Sequence, residues 1–315
     1  MRKITALIAG IALLGSLTAC AGGSSVNGCT PVVSSGQASS VVSATGKLGT
    51  APKVSFPTPL YSKTTQKSVL IAGHGQPIQN GQPVVVDATI LNATSGAVLQ
   101  QTTYSATGGS LLTAGPSSFP AVSEGLRCAT VGSRLAIIGS PKDSHQGQAN
   151  PTNGVKKNDS FIYVIDVKKA FLAKANGADQ VPQNGMPAVV TTANGTPGIT
   201  VPHTTPPKTA QVEVLKQGSG AKLTNGHFAV VQYTGVSWTD NTVFDSTWST
   251  HQASVVQIGS QSLSAGLSKA LLGKRVGSQV LAVLPAKDAT VADGSGKAPA
   301  GATVIYIVDI LGVAQ

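Results

Sequence analysis

Charge is scarce in this chain of 315 residues: Asp, Glu, Lys and Arg together make up 11% of it, under half the usual share. That composition excludes a polyampholyte disordered chain and a coiled coil, and no Gly-X-Y period suggests collagen. Aromatics reach only 4%, so few side chains are available for stacking on bases or filling cores. Beyond the N-terminus there is no long apolar run, which excludes a multi-span helical membrane protein. Acidic residues are the rarer charge, 12 against 22 Lys and Arg, giving a formal net charge of +10. The basic residues are scattered, with no aromatic interleaving, zinc spacing or helix-turn-helix pattern, so a solvated basic surface is expected and nucleic-acid binding is not. No Gly-x-Ser-x-Gly or His-Glu-x-x-His occurs, and His74, His145, His203, His227 and His251 lack metal-ligand spacing. No hydrolase, metal or cofactor is expected.

What is present begins with a leader, MRKITALIAGIALLGSLTAC. Arg2 and Lys3 form a basic n-region, and residues 4–15 are nearly all apolar. This reads as a signal peptide over residues 1–19, too short for a spanning helix. Leu17-Thr18-Ala19-Cys20 resembles a bacterial lipobox, which implies lipidation of Cys20 and a chain anchored on the extracytoplasmic face of the cell membrane. Residues 20–52 are rich in Ser, Gly, Ala, Thr and Val and read as a flexible tether. Two cysteines remain, Cys29 and Cys128. An even count outside the cytoplasm favours a disulfide; two buried thiols are the alternative.

An internal repeat organises the rest. GHGQPIQNG (73–81) and GSGAKLTNG (218–226) share Gly-x-Gly-x5-Gly at an offset of 145 residues. At that offset VVVDATI (84–90) lies over AVVQYTG (229–235), SGAVLQQT (95–102) over DNTVFDST (240–247), and EGLRCATVGS (124–133) over KALLGKRVGS (269–278). FIYVIDV (161–167) lies over VIYIVDI (304–310). Five ordered blocks define two copies, 53–172 and 208–315, joined by a Pro-rich linker, 173–207.

Each copy reads as strands plus one short helix, an α+β domain in which the helix covers one face of an antiparallel sheet. In SLSAGLSKALLGK (262–274), Leu263, Leu267 and Leu271 recur on one helix face. Ser262 or Ser264 can cap its start, and Gly273 suits a left-handed end. The glycine pairs opening each copy read as turns, since no Gly-Lys-Ser/Thr follows them.

The second copy resembles FKBP-type peptidyl-prolyl isomerases, especially secreted actinobacterial ones. The resemblance rests on GSGAKLTNGHFAVVQYTG (218–235), VFDST (243–247), IGSQSLSAGL (258–267), RVGSQVLAVLP (275–285) and ATVIYIVDIL (302–311). It implies a curved antiparallel sheet wrapped around a short helix, and a pocket that binds X-Pro segments of unfolded or secreted proteins. A macrolide is a further ligand the resemblance implies. By position, Tyr233 and Phe244 are pocket walls, Asp245 the polar residue beside them, and Leu263 the start of the helix. Leu267 stands in place of a Trp floor, and Tyr306 is an aromatic of the last strand. Ser264 replaces the usual Ile, Ser268 the usual acid, and the loop 286–301 lacks the Tyr that faces the pocket, with Ala289 or a neighbour in its place. The first copy departs further, with Ala88, Leu99 and Gln100 at the positions of Tyr233, Phe244 and Asp245, while Tyr163 matches Tyr306. It reads as a degenerate FKBP-like domain. The resemblance implies an isomerase in the second copy alone; a non-catalytic chaperone or interaction module of the same fold is the competing reading.

Overall fold

The computed structural model describes residues 29–292, 294 and 296–314. The leader and Cys20 lie outside the described residues. Two units of one design follow each other. The first contains α1 (Gln37–Ser40), β1 (Ser43–Thr45), β2 (Lys53–Ser55), β3 (Gln66–Ile71), β4 (Pro83–Asn92), β5 (Val98–Gln101), β6 (Ser110–Thr113), α2 (Pro120–Gly125), β7 (Arg134–Gly139), α3 (Pro141–His145) and β8 (Phe161–Ala170). The second contains β9 (Ala178–Asp179), β10 (Ala188–Thr191), β11 (Pro197–Thr200), β12 (Gln211–Gln217), β13 (Phe228–Ser237), β14 (Val243–Ser246), α4 (Thr247–Thr250), β15 (Ser254–Gln257), α5 (Ala265–Leu271), β16 (Gln279–Leu284), α6 (Ala286–Ala289) and β17 (Val304–Val313).

The first sheet runs β3-β7-β8-β4-β5, with β6 also on β4. The second runs β12-β16-β17-β13-β14, with β15 also on β13 and β9 added beyond β12. All these pairings are antiparallel. The chain is therefore α+β, with a short helix, α2 or α5, on one face of each sheet.

The period-two alternation of a strand sends successive side chains to opposite faces. In β16, Val280, Ala282 and Leu284 join the cluster under α5, while Leu281 and Val283 join a second cluster behind the sheet. In β17, Val304, Tyr306 and Val308 face the helix, and Ile305 and Ile307 face the back. The first sheet divides likewise, with Leu135 and Ile137 toward α2 and Ala136 and Ile138 behind. Both faces of both sheets are thus apolar and buried.

The back faces decide what the two loose-looking segments do. Residues 29–52 are not a free tether: α1 and the β1–β2 hairpin lie behind the first sheet, where Ala38, Val42, Ala44 and Val54 join its rear cluster. Residues 173–207 are not an extended linker either. The β10–β11 hairpin covers the second sheet, with Met186, Val189, Ile199 and Val201 against Trp238, Leu281 and Ile305. Each fully buried aliphatic side chain is worth about 1.5–3 kcal/mol, so leaving these faces to water would cost several such side chains. The two covers obey the repeat: Ser43↔Ser55 in one hairpin matches Ala188↔Thr200 in the other, 145 residues on.

The units pack on each other. Phe171, Val230 and Leu311 are buried together between them, with Val85, Leu111 and Ala253 alongside. A Cβ on Gly312 would lie 2.2 Å from the Phe171 ring, so only glycine lets that ring seat against β17. Next to this junction Asp309 is 2% exposed. Its carboxylate accepts from Gln279 Nε2 (2.7 Å) and from the Ala175 N–H (2.8 Å). Burial pushes this carboxyl up to about 6 from an ordinary 3.8, against the pull of both hydrogen bonds and of Lys216 and Lys174. A raised carboxyl favours folding in its protonated form, so this contribution is complete below about pH 4 and is lost as pH rises through about 6. Asp309→Asn is therefore expected to add about 2–3 kcal/mol at pH 7 and nothing near pH 4. Urea unfolding at both pH values checks this; a variant weakened at pH 7 would contradict the assignment.

Candidate functional site

The site grows from three strands and a helix. The β13–β17 register places Tyr233 opposite Val308 and Gly235 opposite Tyr306, and β14 brings Asp245 opposite Gly235. The Tyr233 hydroxyl donates to Asp245 Oδ2 at 2.5 Å. Tyr233 meets Tyr306 edge-on (6.2 Å between centroids), and Phe244 meets it at right angles (5.6 Å). Gly235 makes room for this: a Cβ there would lie 2.5 Å from the Phe244 ring. Such edge-to-face pairs favour a fixed arrangement of rings over a loose apolar surface.

The floor comes from α5. Ser264, 2% exposed, caps the helix by accepting from the Leu267 N–H at 3.3 Å, which gives the serine found where the family has Ile a structural task. Gly273 ends the segment with φ +77°. Leu263, Leu267 and Leu271 then form the base of a cavity of about 300 Å³, walled by Tyr233, Tyr306, Val255 and Val256. Of the six residues expected from the sequence, Tyr233, Asp245, Leu263, Leu267 and Tyr306 line it. Phe244 does not; it stands behind Tyr306 and holds that ring.

Two features were not foreseen. Ala289 does not face the cavity; it is buried in the core beneath, and Val291, Gly296 and Lys297 of the same loop reach the rim. Lys297 Nζ lies 2.9 Å from Asp245 Oδ1, so this carboxylate is held from two sides. Burial opposes its charge, yet the hydrogen bonds from Lys297 and Tyr233 outweigh it and hold the carboxyl below the usual range. Burial, reinforced by Asp245, raises the Tyr233 phenol well above its ordinary value, and burial pushes Tyr306 up to about 12. The site thus carries a permanent carboxylate and two neutral phenols at neutral pH. Among the described residues no cluster of three metal-binding side chains occurs.

The sequence pattern of FKBP-type peptidyl-prolyl cis-trans isomerases matches residues 220–311, which contain every residue of this cavity. A protein of Corynebacterium glutamicum named "Probable FK506-binding protein" is 30% identical over 115 residues, 36% of this chain and 96% of that relative. The chain belongs to the FKBP-type peptidyl-prolyl isomerase family. Similar solved structures include the three FKBP domains of wheat FKBP73 (TM-score 0.33, 18% identity, 79% of this chain and 94% of that one). FkpA from Escherichia coli is another (TM-score 0.31, 20% identity, 42% of this chain and 52% of that one). The FKBP-type pattern falls wholly on the second unit.

Proposed function

We propose that the second unit, residues 208–315, is a peptidyl-prolyl cis-trans isomerase acting on X-Pro segments of secreted proteins. The observation that carries this is the apolar cavity ringed by Tyr233, Tyr306 and the α5 leucines, with one fixed carboxylate at its edge. Rotating a peptide bond meets a barrier of ~18–20 kcal/mol from amide resonance. Prolyl bonds have nearly balanced isomers, so lowering that barrier serves both directions. No covalent bond forms or breaks, and the chemistry needs no nucleophile or metal. A cavity of this size takes a proline ring and excludes water from the amide. The twisted amide has lost its resonance and much of its dipole, so a dry apolar wall favours it over the planar form. Asp245 fixes the Tyr233 ring through its hydroxyl, which keeps the wall rigid during rotation.

Phe244→Ala and Asp245→Ala are each expected to lower kcat/KM by ~10–100-fold, about 1.4–2.7 kcal/mol of transition-state binding. The test is a protease-free assay of a Leu-Pro peptide with the full chain, with circular dichroism to confirm folding. Combining the two substitutions should lower kcat/KM by ~10²–10⁴-fold; activity left nearly unchanged by the pair would place isomerisation in the first unit as well. A non-catalytic binding module is the second reading. It is favoured by the rim, where the loop offers Val291 and Lys297 and no tyrosine. A folded protein that binds the peptide without turnover would select it. In this proposal the first unit is an FKBP-like domain without isomerase activity, since Ala88 and Leu99 stand where Tyr233 and Phe244 do.

The leader and its lipobox support a location on the outer face of the cell membrane, held by lipid on Cys20. Cys20→Ala is expected to move the protein from the detergent phase to the aqueous phase. Equal partitioning of both forms would defeat the anchor.

A further inference from the structure

We propose that the first unit holds a second peptide-binding site, one that takes an uncharged extended segment with bulky apolar side chains and does not require proline. It rests on a cavity separate from the one described above.

Its volume is about 960 Å³, against about 300 Å³ in the second unit. The repeat explains the difference. Ala88 replaces the Tyr233 wall, Leu99 replaces the Phe244 ring that backs Tyr306, and Val122 replaces the Leu267 floor, each 145 residues earlier. What remains is an apolar hollow of Val86, Ala88, Ile90, Leu112, Val122 and Tyr163, of the size that holds whole ligands. The walls suited to a single proline ring have gone, and the volume admits a leucine, methionine, phenylalanine or tryptophan side chain with its neighbours.

The rim identifies the class of ligand. No Asp, Glu, Lys or Arg lines this cavity, so a charged group entering it would lose water without gaining a counter-charge. Instead, Gln100, Gln146, Gln148, Asn150, Asn153 and Gln252 stand around it. Carboxamides present a donor and an acceptor together, the same pair that each peptide unit presents. Leu99 and Gln100 lie on β5, an outermost strand of the sheet, along which an extended backbone can run. At the mouth Phe119 is 54% exposed, an aromatic anchor left in water.

The second unit completes this site. Thr250, His251 and Gln252 close one side of the rim, and the Ala253 N–H donates to Thr113 Oγ1 on β6 at 3.4 Å. The cavity therefore belongs to the two-unit chain, and an unfolded segment can occupy it while a neighbouring X-Pro bond visits the other unit.

The test uses the full chain and a dye-labelled, end-blocked peptide, Ser-Gly-Ser-Leu-Phe-Leu-Ser-Gly-Ser, followed by fluorescence anisotropy. Saturable binding is expected, lost when the apolar triplet becomes Ser-Ser-Ser or Asp-Phe-Asp. Ala88→Tyr with Leu99→Phe, which installs the aromatics of the second unit, is expected to weaken binding at least ~10-fold. Phe119→Ser, an exposed change that leaves the core intact, is expected to weaken it ~3–5-fold. Phe244→Ala with Asp245→Ala should leave binding within ~2-fold, although it lowers turnover by ~10²–10⁴-fold. No saturable binding, equal binding by the filled variant and by Phe119→Ser, or loss of binding in the second-unit variant would each overturn the proposal.

Discussion

Arg134→Leu is expected to cost the first unit about 3–5 kcal/mol, the usual penalty for removing one partner of a buried ion pair. Arg134 is fully buried in β7 and grips Asp166 of β8 with two nitrogens, Nε at 2.6 Å and Nη2 at 2.7 Å. The same guanidinium donates to the carbonyls of Gly46 (2.9 Å), Lys47 (3.0 Å) and Thr50 (3.3 Å), which form the turn of the β1–β2 hairpin. Asp166 answers by accepting from the Gly49 N–H at 2.8 Å. One side chain thus ties the rear cover to the sheet, and its loss leaves a buried carboxylate without its counter-charge and several carbonyls without donors. The second unit shows what a milder change does: Gln279 occupies the Arg134 position and bonds Asp309, whose carboxyl rises to about 6. Arg134→Gln is accordingly expected to cost less than Arg134→Leu. Urea unfolding followed by near-ultraviolet circular dichroism measures both. A loss below about 1 kcal/mol for Arg134→Leu would show that the hairpin does not depend on this ion pair.

Breaking the Cys29–Cys128 disulfide is expected to rank beside it. The bond joins residues 99 apart, with Cα atoms 5.6 Å from each other. It ties the start of the described chain to the segment after α2, so the rear cover and the helix side share one cross-link. In the chain-entropy account a loop of this length stabilises by up to about 5 kcal/mol. Both half-cystines are buried, at 8% and 7% exposure, so serines at these positions also lose packing. Cys29→Ser with Cys128→Ser is expected to lower the melting temperature by roughly 10 °C. Calorimetry of the oxidised, reduced and variant proteins separates cross-link from packing: reduction alone should give most of the loss. An unchanged melting temperature on full reduction would refute the stabilising role.

Much of the candidate site was legible along the chain, for a reason that particular residues make plain. Leu263, Leu267 and Leu271 recur at helical spacing, and Ser264 and Gly273 punctuate the ends, so α5 and its apolar face follow from local pattern. Tyr233, Asp245 and Tyr306 sit within ordered blocks, and five of six expected residues line the cavity. The unexpected position of Phe244 is a matter of packing: its ring fits over Gly235 and behind Tyr306, a contact between strands that no spacing encodes. Lys297 was invisible for a similar reason. It lies in a loop without period, and only the fold carries it 52 residues back to Asp245.

The sequence by itself determined the repeat, the strand and helix types and the membership of the second unit in its family, because each is written in local period or ordered motif. Residues 280–284 (VLAVL) and 304–308 (VIYIV) are continuous apolar runs, the mark of strands covered on both faces. Only the tertiary structure decided what covers those faces, turning a Ser-rich tether and a Pro-rich linker into matching hairpins. It alone also decided the cavities. The same fold encloses about 300 Å³ in one unit and about 960 Å³ in the other. That difference is a volume left between residues far apart in the chain, and a volume is a property of three-dimensional packing, set by how Ala88, Leu99 and Val122 meet across sheet and helix.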